Sequence, residues 1–325
     1  SGASALEYTT PTNEIPSQSG NSGKFLTTNG SAASWGEVSA SPTLEAVASG
    51  TLANGDTVVI NADGTVSAAG FTTTNTPVIG SVVTFESGNS QYISSCYDTS
   101  ANKVVIAYQD APDGEKGKAV VGTVANGQIT FGTPVIFDSS TVYYIDIAYD
   151  SNASKVVIVY RDEGNSSSGT AIVGTVSGTS ISFGSPSVYH SGNAQEDAGS
   201  LTLSYDINAN KTLIAYKGTS GYAECAVVSV SGTTVSVGTS VAATNYTLFE
   251  SSGIYDSAAN KHLVFWRRQS DDYMVGRVAT ISGTTVTFGT EVNLTSEYAR
   301  YYGFSFDTTV NKIILAYYNN SASAA

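Results

Sequence analysis

The sequence predicts an all-β fold, a five-bladed β-propeller with a composite closing blade, preceded by a short N-terminal attachment segment. Three observations predict it. The string YDTSANKVVIAYQD (Tyr97 to Asp110) returns as YDSNASKVVIVYRD, YDINANKTLIAYKG, YDSAANKHLVFWRR and FDTTVNKIILAYYN, and the marker residues Asp98, Asp150, Asp206, Asp256 and Asp307 stand 52, 56, 50 and 51 residues apart. A second block recurs between them, as AVVGTVANGQITFGTPV, AIVGTVSGTSISFGSPS, AVVSVSGTTVSVGTS and VGRVATISGTTVTFGTE. A period near 50 residues is the size of a four-stranded propeller blade. Composition agrees: the 325 residues include 32 Gly and 20 Tyr, one Met and only 13% charged residues. That is a surface of Ser, Thr, Gly, Asn and Tyr suited to pleated sheet, with the strong helix formers scarce.

Each repeat reads as four short strands. The first ends at the YD marker, as in Tyr92 to Tyr97 or Tyr144 to Tyr149, and a D-x-x-x-N-K turn follows in which Asp and Asn satisfy local backbone groups. The second, KVVIAY or its equivalent, is a continuous apolar run of strand length, which suits a strand buried on both faces. A polar loop leads to the third, such as Ala119 to Val124. A Gly-containing hairpin turn (Asn126-Gly127, Ser177-Gly178-Thr179, Ser231-Gly232-Thr233, Ser282-Gly283-Thr284) returns the fourth, such as Gln128 to Phe131. The last copy stops after its second strand, near Tyr318. An unmatched hairpin with an Asp63-Gly64 turn, Asp56 to Ala69, resembles strands three and four. Pairing Tyr301–Tyr318 with that hairpin closes a ring and removes two open sheet edges; an open solenoid would leave both half-units unpaired. The domain boundaries that follow are 1–48 for an attachment or oligomerisation segment, 49–320 for the propeller and 321–325 for a tail.

Charge and composition exclude several functions. The net charge of −13 and pI near 4.4 leave no basic footprint for nucleic acid. No apolar run approaches the ~18 residues of a spanning helix, so no membrane insertion is expected. The first residues carry no secretory signal pattern, and a chain that opens on Ser1 reads as processed or as a fragment of a longer one. Cys96 and Cys225 are too few for a disulfide framework and read as reduced thiols.

At Gly20 to Trp35 the string GNSGKFLTTNGSAASW resembles a recurrent element of bacteriophage tail-fibre and virion proteins, G-x-x-G-x-[aromatic or aliphatic]-L-x-[ST]-[ND]-G-x-x-x-x-W. The repeats are similar in pattern to arrays in fibre proteins of marine phages. The resemblance implies a viral structural protein on the virion exterior, tail fibre or capsid surface, attached to other virion proteins through residues 1–48. It implies a homotrimer, and a C-terminal domain that engages the host.

Chemistry finds few candidates. Glycan hydrolysis needs two carboxylates across a pocket; the candidates are Asp146 and Glu250, with Glu196 and Asp197 on a nearby loop, and Asp146 reads as a lone carboxylate facing channel water. The YD aspartates recur in every copy at a turn and read as turn caps. With two histidines, His190 and His262, no Ser-His-Asp or Cys-His set can be proposed. Asp206, Asn208 and Asn210 imitate the start of a calcium loop, but Lys211 replaces its Gly and no Glu closes it. No enzyme activity, metal or cofactor is expected.

The repeats differ most on one face. The loops between strands two and three (QDAPDGEKGK, RDEGNSSSGT, KGTSGY, RRQSDDYM) and the connections between blades (FDSSTVYY, YHSGNAQEDAG, ATNYTLFE, LTSEYARYY) diverge, whereas the turns of the other face recur. A rigid scaffold with one diversified loop face suits binding. The candidate ligand-binding residues there are Tyr143, Tyr189, His190, Tyr246, Phe249, Arg267, Arg268, Asp271, Asp272, Tyr273, Tyr298 and Tyr301. The expected function is receptor binding, with a host surface glycan or protein as partner. The alternatives are a capsid-attached head fibre or decoration protein, and a polysaccharide-degrading propeller enzyme.

Overall fold

A computed structural model describes residues 17–22, 24–28, 33–36, 47–52, 58–68, 80–192 and 201–319, the side chain of Tyr301 excepted. The chain forms two compact units, residues 1–77 and 78–325. In the first, β1 (Phe25–Thr28) pairs antiparallel with β2 (Ala33–Gly36), placing Leu26 opposite Trp35. The Asn29-Gly30 pair between these strands lies outside the described residues. β3 (Val58–Ile60) and β4 (Val66–Ala68) make the expected hairpin. Its turn is fixed by Asp63, which accepts the Thr65 N–H at 3.0 Å and the Thr65 hydroxyl at 2.7 Å, and by Gly64 at φ 83°.

The second unit is all-β, with one turn of 3-10 helix among its described residues, at Glu163–Asn165. The first repeat is β5 (Ser90–Asp98), β6 (Lys103–Asp110), β7 (Lys116–Ala125) and β8 (Gln128–Phe131), close to the expected bounds. The outer position of each sheet differs from expectation. Two short segments share it: β8 pairs with one half of β7, and the start of β9 (Val135–Asp150) pairs with the other half. β9 then runs on as the innermost strand of the second repeat, followed by β10 (Lys155–Asp162), β11 (Ser168–Ser177), β12 (Ser180–Phe183) and β13 (Ser187–His190). The third repeat is β14 (Leu201–Asp206), β15 (Lys211–Lys217), β16 (Ala223–Ser231), β17 (Thr234–Val237) and β18 (Val241–Ala242). The fourth is β19 (Leu248–Asp256), β20 (Lys261–Arg268), β21 (Tyr273–Ser282) and β22 (Thr285–Phe288). β23 (Val292–Asp307) links it to a fifth, completed only by β24 (Lys312–Asn319).

The YD-x-x-x-NK signature is explained at the first turn of each repeat. Asp98 accepts the N–H groups of Ser100 and Ala101, both at 2.9 Å, and Asp206, Asp256 and Asp307 repeat the pattern. Asn102, Ser154, Asn210, Asn260 and Asn311 hold the left-handed conformation, φ 52–54°, that ends each turn. The marker tyrosines join consecutive repeats. Tyr149 meets Ser100 Oγ at 2.6 Å, Tyr205 accepts the Asn152 N–H at 3.1 Å and Tyr255 accepts Asn208 Nδ2 at 2.7 Å.

The second strands are buried on both faces, as their apolar runs predict. In β10, Val156, Ile158 and Tyr160 enter the core shared with the first repeat, and Val157 and Val159 enter the core shared with the third. Similar cores lie between repeats three and four, around Trp266 and Leu248, and between four and five, around Phe265 and Met274. Exposure rises on the two end sheets: Ile93 and Tyr97 on β5, and Ile314 and Tyr318 on β24, are each 50–53% exposed. β3 pairs with β4, and β24 with β23.

Candidate functional site

In repeats one, three and four a recurring backbone hydrogen bond joins the diversified loop to the connection that follows it. Val142 donates to the Glu115 carbonyl at 3.0 Å, Leu248 to Gly221 at 3.1 Å and Ala299 to Asp272 at 3.4 Å. Glu115, Gly221 and Asp272 share a left-handed backbone, φ 60°, 75° and 61°. Each therefore sits at the same point of its repeat with the same backbone and a different side chain. Glu115 reaches over its connection, where its Oε2 accepts from the Thr141 and Tyr143 hydroxyls at 3.4 Å. Asp272 turns back to Arg267 at 2.5 Å. Gly221 has nothing to project, and beside it a cleft of about 360 Å³ opens, lined by Lys217, Thr219, Ser220, Gly221, Thr247, Leu248, Phe249 and Gln269.

The cleft walls are fixed by their own contacts. Thr219 Oγ1 lies 2.7 Å from His190 Nε2, Gly221 donates to the Gly218 carbonyl at 2.8 Å, and Gln269 donates its backbone N–H to Thr247 at 3.4 Å. The Phe249 ring is backed by the Arg267 guanidinium, 4.0 Å from its centroid. Arg267 itself is only 3% exposed and also reaches Glu250 at 3.4 Å.

The predicted site residues divide among several places. Phe249 lines the cleft and His190 braces it. Tyr143 forms a separate aromatic group with Tyr92 and Tyr144, at centroid distances of 5.6 and 6.1 Å, beside the Arg161 guanidinium. Tyr189 is not on the loop face: it is buried in the core between repeats two and three, 5.0 Å from Tyr216. The strand alternation of β13 turns Val188 out and Tyr189 in. Arg267 is likewise interior. Tyr246 packs against the core, accepting Trp266 Nε1 at 2.8 Å and donating to Glu291 at 2.8 Å; burial pushes its hydroxyl up to about 12. Arg268 is held by Asp271, Glu291 and Asn293, and its hydrogen bond keeps the Asp271 carboxyl below the usual carboxylate range. Tyr273 pairs across the ladder with Tyr298, whose ring lies 5.7 Å from Arg267 and 5.5 Å from Arg300. Tyr301 lies on β23, its side chain outside the described residues.

Asp146 is partly buried and hydrogen-bonded through both carboxylate oxygens. Its Oδ1 accepts from Ser94 Oγ at 2.7 Å and from the Ile147 N–H at 2.9 Å, and its Oδ2 accepts the Leu203 N–H at 2.7 Å, with the Thr202 hydroxyl as a further donor. Burial pushes its carboxyl upward while these donors pull it down. The residue thus ties together the inner strands β5, β9 and β14. Glu196 and Asp197 lie outside the described residues.

One constellation was missed in the sequence. Ser204 Oγ lies 3.0 Å from His262 Nδ1, and His262 Nε2 lies 3.6 Å from Asp206. All three are buried, and Asp206 is occupied in capping its turn, so no substrate can reach the serine. Strand alternation explains the miss: Ser204 and Asp206 share one face of β14, and His262 comes from the next repeat. Cys96 and Cys225 are free, their thiols pushed up by burial, Cys96 to about 12. Among the described residues no cluster of His, Cys, Asp or Glu could hold a metal, and no helix is long and apolar enough to cross a membrane.

No protein-family model and no curated protein matches the chain. Among solved structures, AofleA from Arthrobotrys oligospora aligns with a TM-score of 0.39 and 10% identity, over 63% of this chain. An AofleA variant with three arginines changed to alanine aligns at 0.40 with 9% identity over the same share. The chain spans 59% of the length of each.

Proposed function

We propose that the chain is the receptor-binding module of a bacteriophage virion fibre, presenting its diversified loop face to a host-surface glycan or protein. One observation carries the reading. The same backbone hydrogen bond frames the loop face at Glu115, Gly221 and Asp272, while the side chains around it change from carboxylates to an open cleft. A constant frame with variable groups is an arrangement suited to recognition. The phage assignment rests on the resemblance at Gly20 to Trp35. In this reading the second unit closes as a five-bladed propeller whose incomplete fifth sheet takes the β3–β4 hairpin, and residues 1–48 join other virion proteins as a homotrimer. The module is non-enzymatic and needs no cofactor.

The test is retention of the purified chain on an array of bacterial surface polysaccharides and outer-membrane proteins. Binding that is lost when residues 218–222 are replaced by a Gly-Ser loop, and kept when the Ser282-Gly283-Thr284 turn is altered, supports the reading. No retained partner, or equal loss from both changes, removes it. Shortened polysaccharide after incubation would favour the hydrolase instead. Light scattering on the full chain and on one beginning at Ala48 tests assembly, with a trimer expected to become monomeric on truncation.

A further inference from the structure

We infer that the cleft between repeats three and four is a binding site for one uncharged pyranose sugar, in a size class at the small end of ligand pockets, roughly 300–1,000 Å³. The inference rests on the reading of the loop face as the binding face and names its ligand class. It begins from an internal comparison. In repeat one the positions that match Gly221, Thr247 and Phe249 are Glu115, Thr141 and Tyr143, and there the carboxylate accepts from both hydroxyls. That corner satisfies its own polar groups. At the matching corner of repeat three the glycine removes the carboxylate and phenylalanine removes a hydroxyl, so the space and the Thr247 side chain are left to a ligand.

The lining chemistry selects the class. A single aromatic face, backed by a cation on its other side, offers a platform for the C–H face of a sugar ring. Around it stand the hydroxyls of Thr219, Ser220 and Thr247 and the carboxamide of Gln269, which can donate and accept in the manner sugar hydroxyls require. An apolar ligand would displace water from the Ser220 and Thr247 hydroxyls and the Gln269 carboxamide without replacing its hydrogen bonds. No carboxylate lines the cleft to select a cationic ligand. The Lys217 side chain is the one positive charge in the lining, and the chain's net charge of −13 opposes it at longer range, so an uncharged ligand that uses the hydroxyls and the carboxamide is favoured. The walls are held in advance by the His190–Thr219 contact and the Gly221–Leu248 backbone bond, so little ordering is needed on binding.

The experiment uses the full chain and saturation-transfer NMR with D-glucose, N-acetyl-D-glucosamine and D-glucuronate as probes. Gly221→Glu restores the side chain that repeat one carries on the same left-handed backbone, and Ser220→Trp covers the exposed rim if the first variant melts early. At least one of the two uncharged sugars is expected to bind the wild type, and to bind each folded variant at least tenfold more weakly. Glu115→Gly is expected to add a second, weaker site. Binding of glucuronate alone, no binding of any probe, or binding that neither variant changes overturns the inference. The array separates the two readings: surface material retained equally by wild type and Gly221→Glu leaves the module reading standing without this cleft. Sugar binding at the cleft with nothing retained on the array does the reverse.

Discussion

Of the two histidines, His262 is sealed in the interior, 1% exposed, between Ser204 and Asp206 of the preceding repeat. Burial lowers its pKa to about 4, against the upward pull of the Asp206 carboxylate. The ring is therefore neutral in the folded protein at a pH where the unfolded chain's imidazole is already protonated. Its contribution to stability is fully present above the unfolded value near 6.5 and is lost as the pH falls toward 4. A difference of that size amounts to at most about 3 kcal/mol. Urea unfolding at several pH values is expected to show wild-type stability falling between pH 6.5 and 4 more steeply than that of His262→Gln. Parallel curves for the two proteins would remove the buried imidazole as the cause.

Each sheet is positioned against the next partly by a glycine. A methyl group at Gly132, Gly184 or Gly238 would fall on the backbone carbonyl of Thr179, Thr233 or Thr284 in the following repeat, whereas at Gly289 it would meet only Val278 of its own repeat, at 3.7 Å or more. Gly184→Ala is expected to cost about 1–3 kcal/mol through overpacking. Gly289→Ala is expected to fall within about 0.5 kcal/mol of wild type. Thermal melts of the two variants decide it, and equal losses would refute the positional argument. These elements were legible in sequence because each serves the same role several times: the Asp caps, the KVVIAY runs and the Gly turns recur with their causes. The cleft was not legible as a motif, because it arises from an absent side chain. Only alignment of the loops by backbone position, setting Gly221 beside Glu115 and Asp272, could have found it. Tyr189 was misplaced for a related reason, since a four-residue strand shows too little alternation to announce its buried face.

At the scale of the molecule, the second unit has two ends that differ from its middle. Tyr149, Tyr205 and Tyr255 each lock onto the turn of the repeat before them, while Tyr97 of the first YD repeat is half exposed and, among the described residues, reaches Asn102 of its own turn at 3.4 Å. Among the described residues the last sheet consists of β23 and β24, and Ile314 and Tyr318 on it are 52% and 53% exposed. An open array of repeats couples only neighbours, so it frays from its ends and unfolds in stages. A closed ring has no end from which to fray and unfolds as one body. The proposed closure therefore has a cooperative signature. Trp266 lies in the fourth repeat and the only other tryptophan is Trp35, so a Trp35→Phe chain reports the interior by fluorescence and the whole fold by circular dichroism. The two transitions are expected to coincide in urea. Ile314→Glu, covered in the ring, is expected to move both midpoints together by about 1–3 kcal/mol of stability, because a charge is then buried without a partner. Separate transitions, with Ile314→Glu behaving as an exposed change within about 0.5 kcal/mol, would mean that the repeats stand as an open stack whose ends are covered, if at all, by another chain.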